Sequence, residues 1–199
     1  MRFLTLYLRS RRVPLALAVA AGGTALMWTL WSISSDERDA ASWLVIMTVL
    51  VLAAGITHTL SSADDEVERT AALPWPPRRA AHLIAALAVI VALVLVTQAT
   101  GARFGPPAVV VRDAAGLLGL IALGAAVAGP ARSWFLPLIW TMAATMFPQN
   151  TPLFAEIATW QHQPPDSRPA AVTAAVLALA GLIAYTATGP ARRAAASPA

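Results

Sequence analysis

Residues 80–100 read AAHLIAALAVIVALVLVTQAT, and His82 is the only ionisable residue among them. At about 1.5 Å per residue, a helix of this length covers about 30 Å, which is the thickness of the hydrocarbon core of a bilayer. A helix on the surface of a soluble domain keeps one polar face, and this run has none. The stretch therefore predicts a transmembrane helix.

Comparable apolar runs recur along the chain and predict an all-α, polytopic membrane protein of about six spans, organised as a single transmembrane domain. The predicted spans are residues 13–33, 40–60, 80–100, 107–129, 133–147 and 170–188. Composition agrees, because 58% of the residues are hydrophobic and 12% are charged. Soluble domains average about 45–50% and about 25%. The run 133–147 is short, with about 22 Å of helix at about 1.5 Å per residue.

Two shorter amphipathic segments accompany these spans. Residues 1–12 repeat apolar side chains at helical spacing among four arginines, which predicts an elbow helix lying in the headgroup region. Residues 148–169 are bounded by prolines, and their middle predicts a short re-entrant or interfacial helix before the last span. The apolar residues at helical spacing there are Leu153, Phe154, Ile157 and Trp160.

The arginines predict the orientation in the membrane. With a cytoplasmic N-terminus, ten of the 14 arginines fall on the inner side and four fall outside or in the outer half, as the positive-inside rule requires. Both termini are then cytoplasmic, Trp31, Trp43 and Trp160 lie near the outer boundary, and Trp134 lies near the inner one. The lysine-free, alanine- and proline-rich composition is typical of GC-rich, actinobacterial genomes, so we expect a bacterial plasma (inner) membrane protein.

Sequence motifs of catalysis and of cofactor binding are missing. The chain has no cysteine and no GxxxxGK[ST], HExxH or GxSxG motif, and its three histidines are scattered. We therefore expect no catalytic residue, metal site or cofactor. The arginines lie at the ends of apolar runs rather than in a stripe, which favours contact with lipid headgroups and argues against a nucleic-acid partner.

Arg112 and Asp113 are the exception to the apolar character of the run 107–129. Charged residues within a span usually face the protein interior and often mark function. Alternatively, the span begins at Ala114 and both charges lie in the outer headgroups. Adjacent residues on a helix do not face each other, so we do not expect a simple internal pair.

The loop 61–79 reads SSADDEVERTAALPWPPRR and is the most polar part of the chain. Its acidic residues Asp64, Asp65 and Glu66 can complement the positive end of a short helix that begins near Ser62. Three prolines then interrupt this helix, and arginines follow at the membrane surface. A plain solvated loop is the alternative interpretation.

At this loop the chain resembles the membrane subunits of type-2 ATP-binding-cassette exporters. The layout is similar over nearly the whole chain: an elbow, six spans, a helical loop between spans two and three, and a short re-entrant element between spans five and six. In sequence the resemblance lies in residues 68–83, ERTAALPWPPRRAAHL, where Thr70 and Ala71 replace the glycine that family members often have. The residues that match the family pattern are Glu68, Arg69, Leu73, Pro77 and Arg78.

The resemblance implies a division of labour. The spans would form half of a translocation path, a second identical or homologous membrane subunit would form the other half, and a separate cytoplasmic ATP-binding subunit would bind the coupling helix in this loop. The residues expected to contact that ATPase are Asp64, Asp65, Glu66, Glu68, Arg69, Leu73 and Trp75. Two alternatives from other classes stay open: a membrane-embedded lipid-modifying enzyme, and a non-transporting accessory or signalling membrane protein.

Overall fold

The computed structural model describes residues 13–60, 75–146 and 153–191, and most of these residues are helical. Within these ranges there is no strand, only an isolated bridge between Asp39 and Arg103. The all-α prediction is confirmed. The helices are α1 (Val13–Ser34), α2 (Ser42–Ile56), α3 (Trp75–Val96), α4 (Pro107–Ala128), α5 (Phe135–Met146), α6 (Leu153–Ala158) and α7 (Arg168–Thr188).

Five of the described helices are long and apolar enough to cross a membrane, namely α1, α2, α3, α4 and α7. Short 3₁₀ turns extend α2 and α3 to spans of 19 and 25 residues, Ser42–Leu60 and Trp75–Ala99. The protein is therefore membrane-embedded and polytopic. The remaining predicted span, 133–147, corresponds to α5, whose 12 residues cover about 18 Å at about 1.5 Å per residue. That length is below the roughly 30 Å of a hydrocarbon core.

Helix α3 begins at Trp75, five residues before the predicted start of its span. Pro76 and Pro77 lie in its first turn, where a residue without an N–H loses no helical hydrogen bond. The last five residues of the predicted loop, 75–79, thus belong to the helix. Pro76 and Pro77 therefore lie at the start of α3, whereas the sequence pattern predicted only a break there.

Helix α4 forms the centre of the bundle. Of its most apolar window, 72% is buried inside the protein, against 6% for α1. Its closest neighbour is α7, and glycines make this approach possible, because a Cβ at Gly181 would overlap the carbonyl oxygen of Gly119. Small residues at such contacts let helix backbones pack closely in membranes.

Helices α4 and α7 run parallel. Near their beginnings, Arg112 Nη1 donates to the carbonyl oxygen of Pro164 at 3.1 Å. Beyond their last turns, the N–H of Ala191 donates to the carbonyl oxygen of Ala125 at 2.8 Å. The chain must therefore return from one end of the bundle to the other between α4 and α7, and α5 and α6 lie on that return path. We name these ends the Arg112 end and the Leu60 end, after residues that lie at each.

The short helix predicted before the last span is also observed, as α6 and a 3₁₀ turn at Trp160–His162. Leu153 and Phe154 are exposed on it, whereas Trp160 is fully buried. Trp160, predicted near the outer boundary, thus does not face lipid as the tryptophans of an aromatic belt do. Its ring instead packs against Gly116 of α4, where any Cβ would overlap it.

Candidate functional site

The predicted coupling residues divide between the described and the undescribed parts of the chain. Trp75 is the first residue of α3 and is half-buried. The rest of the set lies outside the described residues, as does the predicted elbow helix, residues 1–12: these are Asp64, Asp65, Glu66, Glu68, Arg69 and Leu73.

At the Leu60 end, both stems of the 61–74 segment are attached to other helices. The hydroxyl of Tyr185, on α7, donates to the carbonyl oxygen of Leu60 at 2.9 Å, and both residues are almost completely buried. Thr59 Oγ1 lies 2.9 Å from His82 Nε2, which joins the end of α2 to the second turn of α3. These contacts hold α2, α3 and α7 together where the segment leaves the bundle.

Arg79 adds a second attachment between α3 and α7. Its Nη1 donates to the carbonyl oxygen of Thr186 at 3.5 Å. The guanidinium lies directly over Gly189, because a Cβ at that glycine would stand 2.6 Å from Nη2. The preceding residue, Arg78, lies over the ring of Trp75, with Cζ 5.6 Å from the ring centroid, which is within the range of a cation–π interaction.

At the Arg112 end, the two predicted intramembrane charges form a pair. Arg112 Nε lies 2.9 Å from Asp113 Oδ1, and their side chains are 7% and 0% exposed. The expectation that adjacent residues would not pair is wrong, because the arginine side chain is long enough to fold back onto its neighbour. Since α4 begins at Pro107, both charges lie within this helix. The alternative, that the span itself begins at Ala114 with both charges at headgroup depth, stays a prediction.

The guanidinium of Arg112 also connects α4 to the segment that precedes α7. Nη1 and Nη2 donate to the carbonyl oxygens of Pro164 and Gln161, at 3.1 and 3.3 Å. Every nitrogen of the guanidinium thus has an acceptor. Hydrogen bonds from a charged donor are stronger than neutral ones, so this cluster attaches α4 to the segment before α7 at the Arg112 end.

Sequence reasoning missed Gln161 and gave His162 no part at this end. Gln161 is 2% exposed and its Nε2 donates to Thr141 Oγ1 on α5 at 3.0 Å. His162 is half-buried, and this burial lowers the pKa of its imidazole. Arg112 was the one indication in the sequence that such a partner exists, because a buried guanidinium requires hydrogen-bond acceptors from a neighbouring segment.

Within the described ranges, no group of three or more His, Cys, Asp or Glu side chains is placed so that it could hold a metal ion. The two ends of the bundle differ. At the Leu60 end, side-chain contacts join α2, α3 and α7. At the Arg112 end, a buried polar cluster joins α4 to the segment before α7. No protein-family model, no curated protein and no solved structure matches the chain. Its function is therefore inferred from its own residues and their geometry.

Proposed function

We propose that the chain is the membrane-spanning subunit of an ATP-driven exporter of the bacterial plasma membrane. It forms half of a translocation path with a second, identical or homologous subunit, and it couples to a separate cytoplasmic ATPase. Three features support the proposal: the apolar helices, the absence of a nucleotide-binding motif in the sequence, and the acidic segment that leaves the Leu60 end.

The observation that carries the proposal is the attachment of both stems of the 61–74 segment to α7. A partner that pushes this segment acts on Leu60 and Arg79, and both are bonded to α7, through Tyr185 and Thr186. A purely solvated loop would not need such attachments. A movement of the segment is therefore transmitted to α2, α3 and α7 as one unit.

The contact between α4 and α7 extends this unit to the opposite end of the bundle. The backbones touch at Gly119 and Gly181, and close-packed contacts shift between discrete arrangements rather than deform continuously. At the far end of α4, Arg112 holds the segment before α7. A force applied at the Leu60 end can thus reach the Arg112 end without passing through a flexible element.

Charge on the segment identifies what a partner must offer. Asp64, Asp65, Glu66 and Glu68 lie within five positions of one another, with Arg69 beside them. The receiving groove of the ATPase should therefore be basic or rich in hydrogen-bond donors. Removing one partner of a buried interfacial charge pair costs about 2–5 kcal/mol, or about 30-fold or more in affinity.

Co-purification tests this proposal. We expect the full chain, extracted in mild detergent, to carry an ATPase subunit that contains a Walker motif, identified by mass spectrometry. Glu68→Arg, or Asp65→Arg together with Glu66→Arg, should leave the protein in the membrane but remove the ATPase and abolish transport.

The matched control reverses Asp36 and Glu37, two exposed acidic residues between α1 and α2 at the Arg112 end. This reversal should retain the ATPase. Equal losses from the two reversals, or transport by this chain reconstituted alone, would contradict the proposal.

A further inference from the structure

A cavity of about 210 Å³ lies at the Arg112 end, between the first turns of α2 and α4 and the residues that precede α7. Its walls include apolar residues such as Val45, Ile46 and Val109, and five polar residues: Ser42, Asp113, Gln161, His162 and Gln163. Pro164 and Pro165 also line it and are exposed, so the cavity opens to the surface. It is smaller than the roughly 300–1,000 Å³ of a drug-sized pocket.

Three of these polar residues each have a buried atom without a hydrogen-bond partner among the described residues. These atoms are Asp113 Oδ2, Gln161 Oε1 and His162 Nδ1. Asp113 is completely buried and Gln161 is 2% exposed. Unsatisfied buried polar atoms are rare in folded proteins, so three of them around one cavity indicate a bound group that satisfies them.

The missing group must be a hydrogen-bond donor. A carboxylate oxygen and an amide carbonyl oxygen accept hydrogen bonds, and the unprotonated nitrogen of a neutral imidazole does so too. Burial favours the neutral form of His162, because it lowers the pKa of the imidazole. The amide nitrogen of Gln161 is already used by Thr141, which leaves its oxygen for the cavity.

A primary ammonium group matches this site better than water does. It has three N–H donors and no acceptor, so it can donate one hydrogen bond to each of the three unsatisfied atoms. Water would bring lone pairs that face the apolar walls of Val45, Ile46 and Val109. Asp113 Oδ1 accepts from Arg112, whose other two nitrogens donate to backbone carbonyl oxygens, so Asp113 Oδ2 remains free to accept a hydrogen bond from the ammonium group.

We propose that this cavity binds the primary ammonium group of a small amine, with Asp113, Gln161 and His162 as acceptors and with the alkyl chain against Val45, Ile46 and Val109. The proposal does not depend on the exporter role, because it concerns binding to the isolated chain. A ligand that binds only the folded protein raises its thermal stability, and the rise continues with the logarithm of ligand concentration above the dissociation constant.

The test uses the full-length protein in detergent, with n-butylammonium chloride as the probe and with titration calorimetry and thermal unfolding as readouts. We expect saturable binding and a matching rise in the unfolding midpoint. Tetramethylammonium, which has charge but no N–H donor, and n-butanol, which has the chain but no charge, should produce neither.

Two variants locate the site. Asp113→Asn should weaken n-butylammonium binding at least about tenfold, because it removes a charge-assisted hydrogen bond. Val109→Phe should abolish binding by filling the cavity while leaving the Arg112–Asp113 pair intact, so it decides the matter even where Asp113→Asn fails to fold. Val172→Phe, on an exposed face of α7, is the control and should bind as the wild type does.

Three results would overturn the proposal. The first is no saturable response to n-butylammonium in the wild type. The second is an equal response to tetramethylammonium or to n-butanol. The third is unchanged binding in Val109→Phe. Each of these results would show that Asp113, Gln161 and His162 do not bind a primary ammonium group in this cavity.

Discussion

Arg112 and Asp113 place two opposite charges in the most buried helix of the bundle. Burying a charge is costly unless it is paired and hydrogen-bonded, and here the pair is completed by two backbone carbonyl oxygens. The protein therefore depends on both partners being present. A cluster of this kind fixes one arrangement of α4 against the segment before α7.

Arg112→Gln should destabilise the folded protein by about 3–5 kcal/mol, because it leaves the carboxylate of Asp113 buried without its partner. Thermal unfolding of the purified protein measures this effect. Arg38→Gln, at an exposed arginine of the same end, is the control and should change little. The double variant Arg112→Leu with Asp113→Leu should recover part of the loss, since neither charge then remains. A single variant as stable as Arg38→Gln would contradict this interpretation.

Tyr185→Phe should lower stability by about 1 kcal/mol, the usual worth of one hydrogen bond, because the carbonyl oxygen of Leu60 loses a donor at 2.9 Å. Thr188→Val removes a hydroxyl from an exposed position on the same helix and serves as the control. Thermal unfolding compares the two variants. If the chain is the exporter subunit that we propose, only Tyr185→Phe should reduce transport relative to ATP hydrolysis. Equal effects of the two changes would mean that this contact does not transmit force.

At the level of single residues, the sequence singled out Arg112 and Asp113 as charges within an apolar run, but it did not predict that they pair with each other. Adjacent residues on a helix point in different directions. The arginine side chain is long enough to reach the neighbouring carboxylate all the same. Gln161 could not be identified at all, because its importance arises from a contact with α4 that lies about 50 positions away in the chain.

Among the elements, the contact between α4 and α7 is the most sensitive to substitution. Gly181→Leu should separate the two helices, because even a Cβ there overlaps the backbone of Gly119. Overpacking a tight contact costs about 1–3 kcal/mol or more, so we expect a lower unfolding midpoint or failure to accumulate in the membrane. Gly22→Leu, on α1, is the matched control, because a Cβ at Gly22 meets nothing within 4 Å. If both variants were equally stable, the α4–α7 contact would not be close-packed.

The long helices were predictable from sequence because apolar length is a strong signal, and five of the predicted runs correspond to helices long enough to span. Boundaries were less predictable. Helix α3 starts at Trp75 because two prolines fit a first turn, although prolines in sequence also signal a break. The run 133–147 yields only α5, because the apolar stretch is too short to define a span by itself.

For the whole molecule, the fold class follows from the sequence, whereas orientation and partnership remain proposals. The arginine bias predicts that the Leu60 end is cytoplasmic. The sequence Gly-Pro-Ala occurs twice, at Gly129–Ala131 and Gly189–Ala191, and the two copies are in contact. Gly129 and Gly189 have φ values of +86° and +72°, and a Cβ at Gly129 would stand 3.0 Å from the carbonyl oxygen of Ala191. Both sequences therefore lie at the same end.

The central claim is that the 61–74 segment faces the cytoplasm, where an ATPase can reach it. Because the chain has no cysteine, single cysteines can be introduced without any background: Ala63→Cys in the segment, and Asp166→Cys at an exposed position of the Arg112 end. A membrane-impermeant maleimide should label Asp166→Cys in intact cells and Ala63→Cys only after permeabilisation. Labelling of Ala63→Cys in intact cells, at the rate of Asp166→Cys, would place the segment outside and contradict the account.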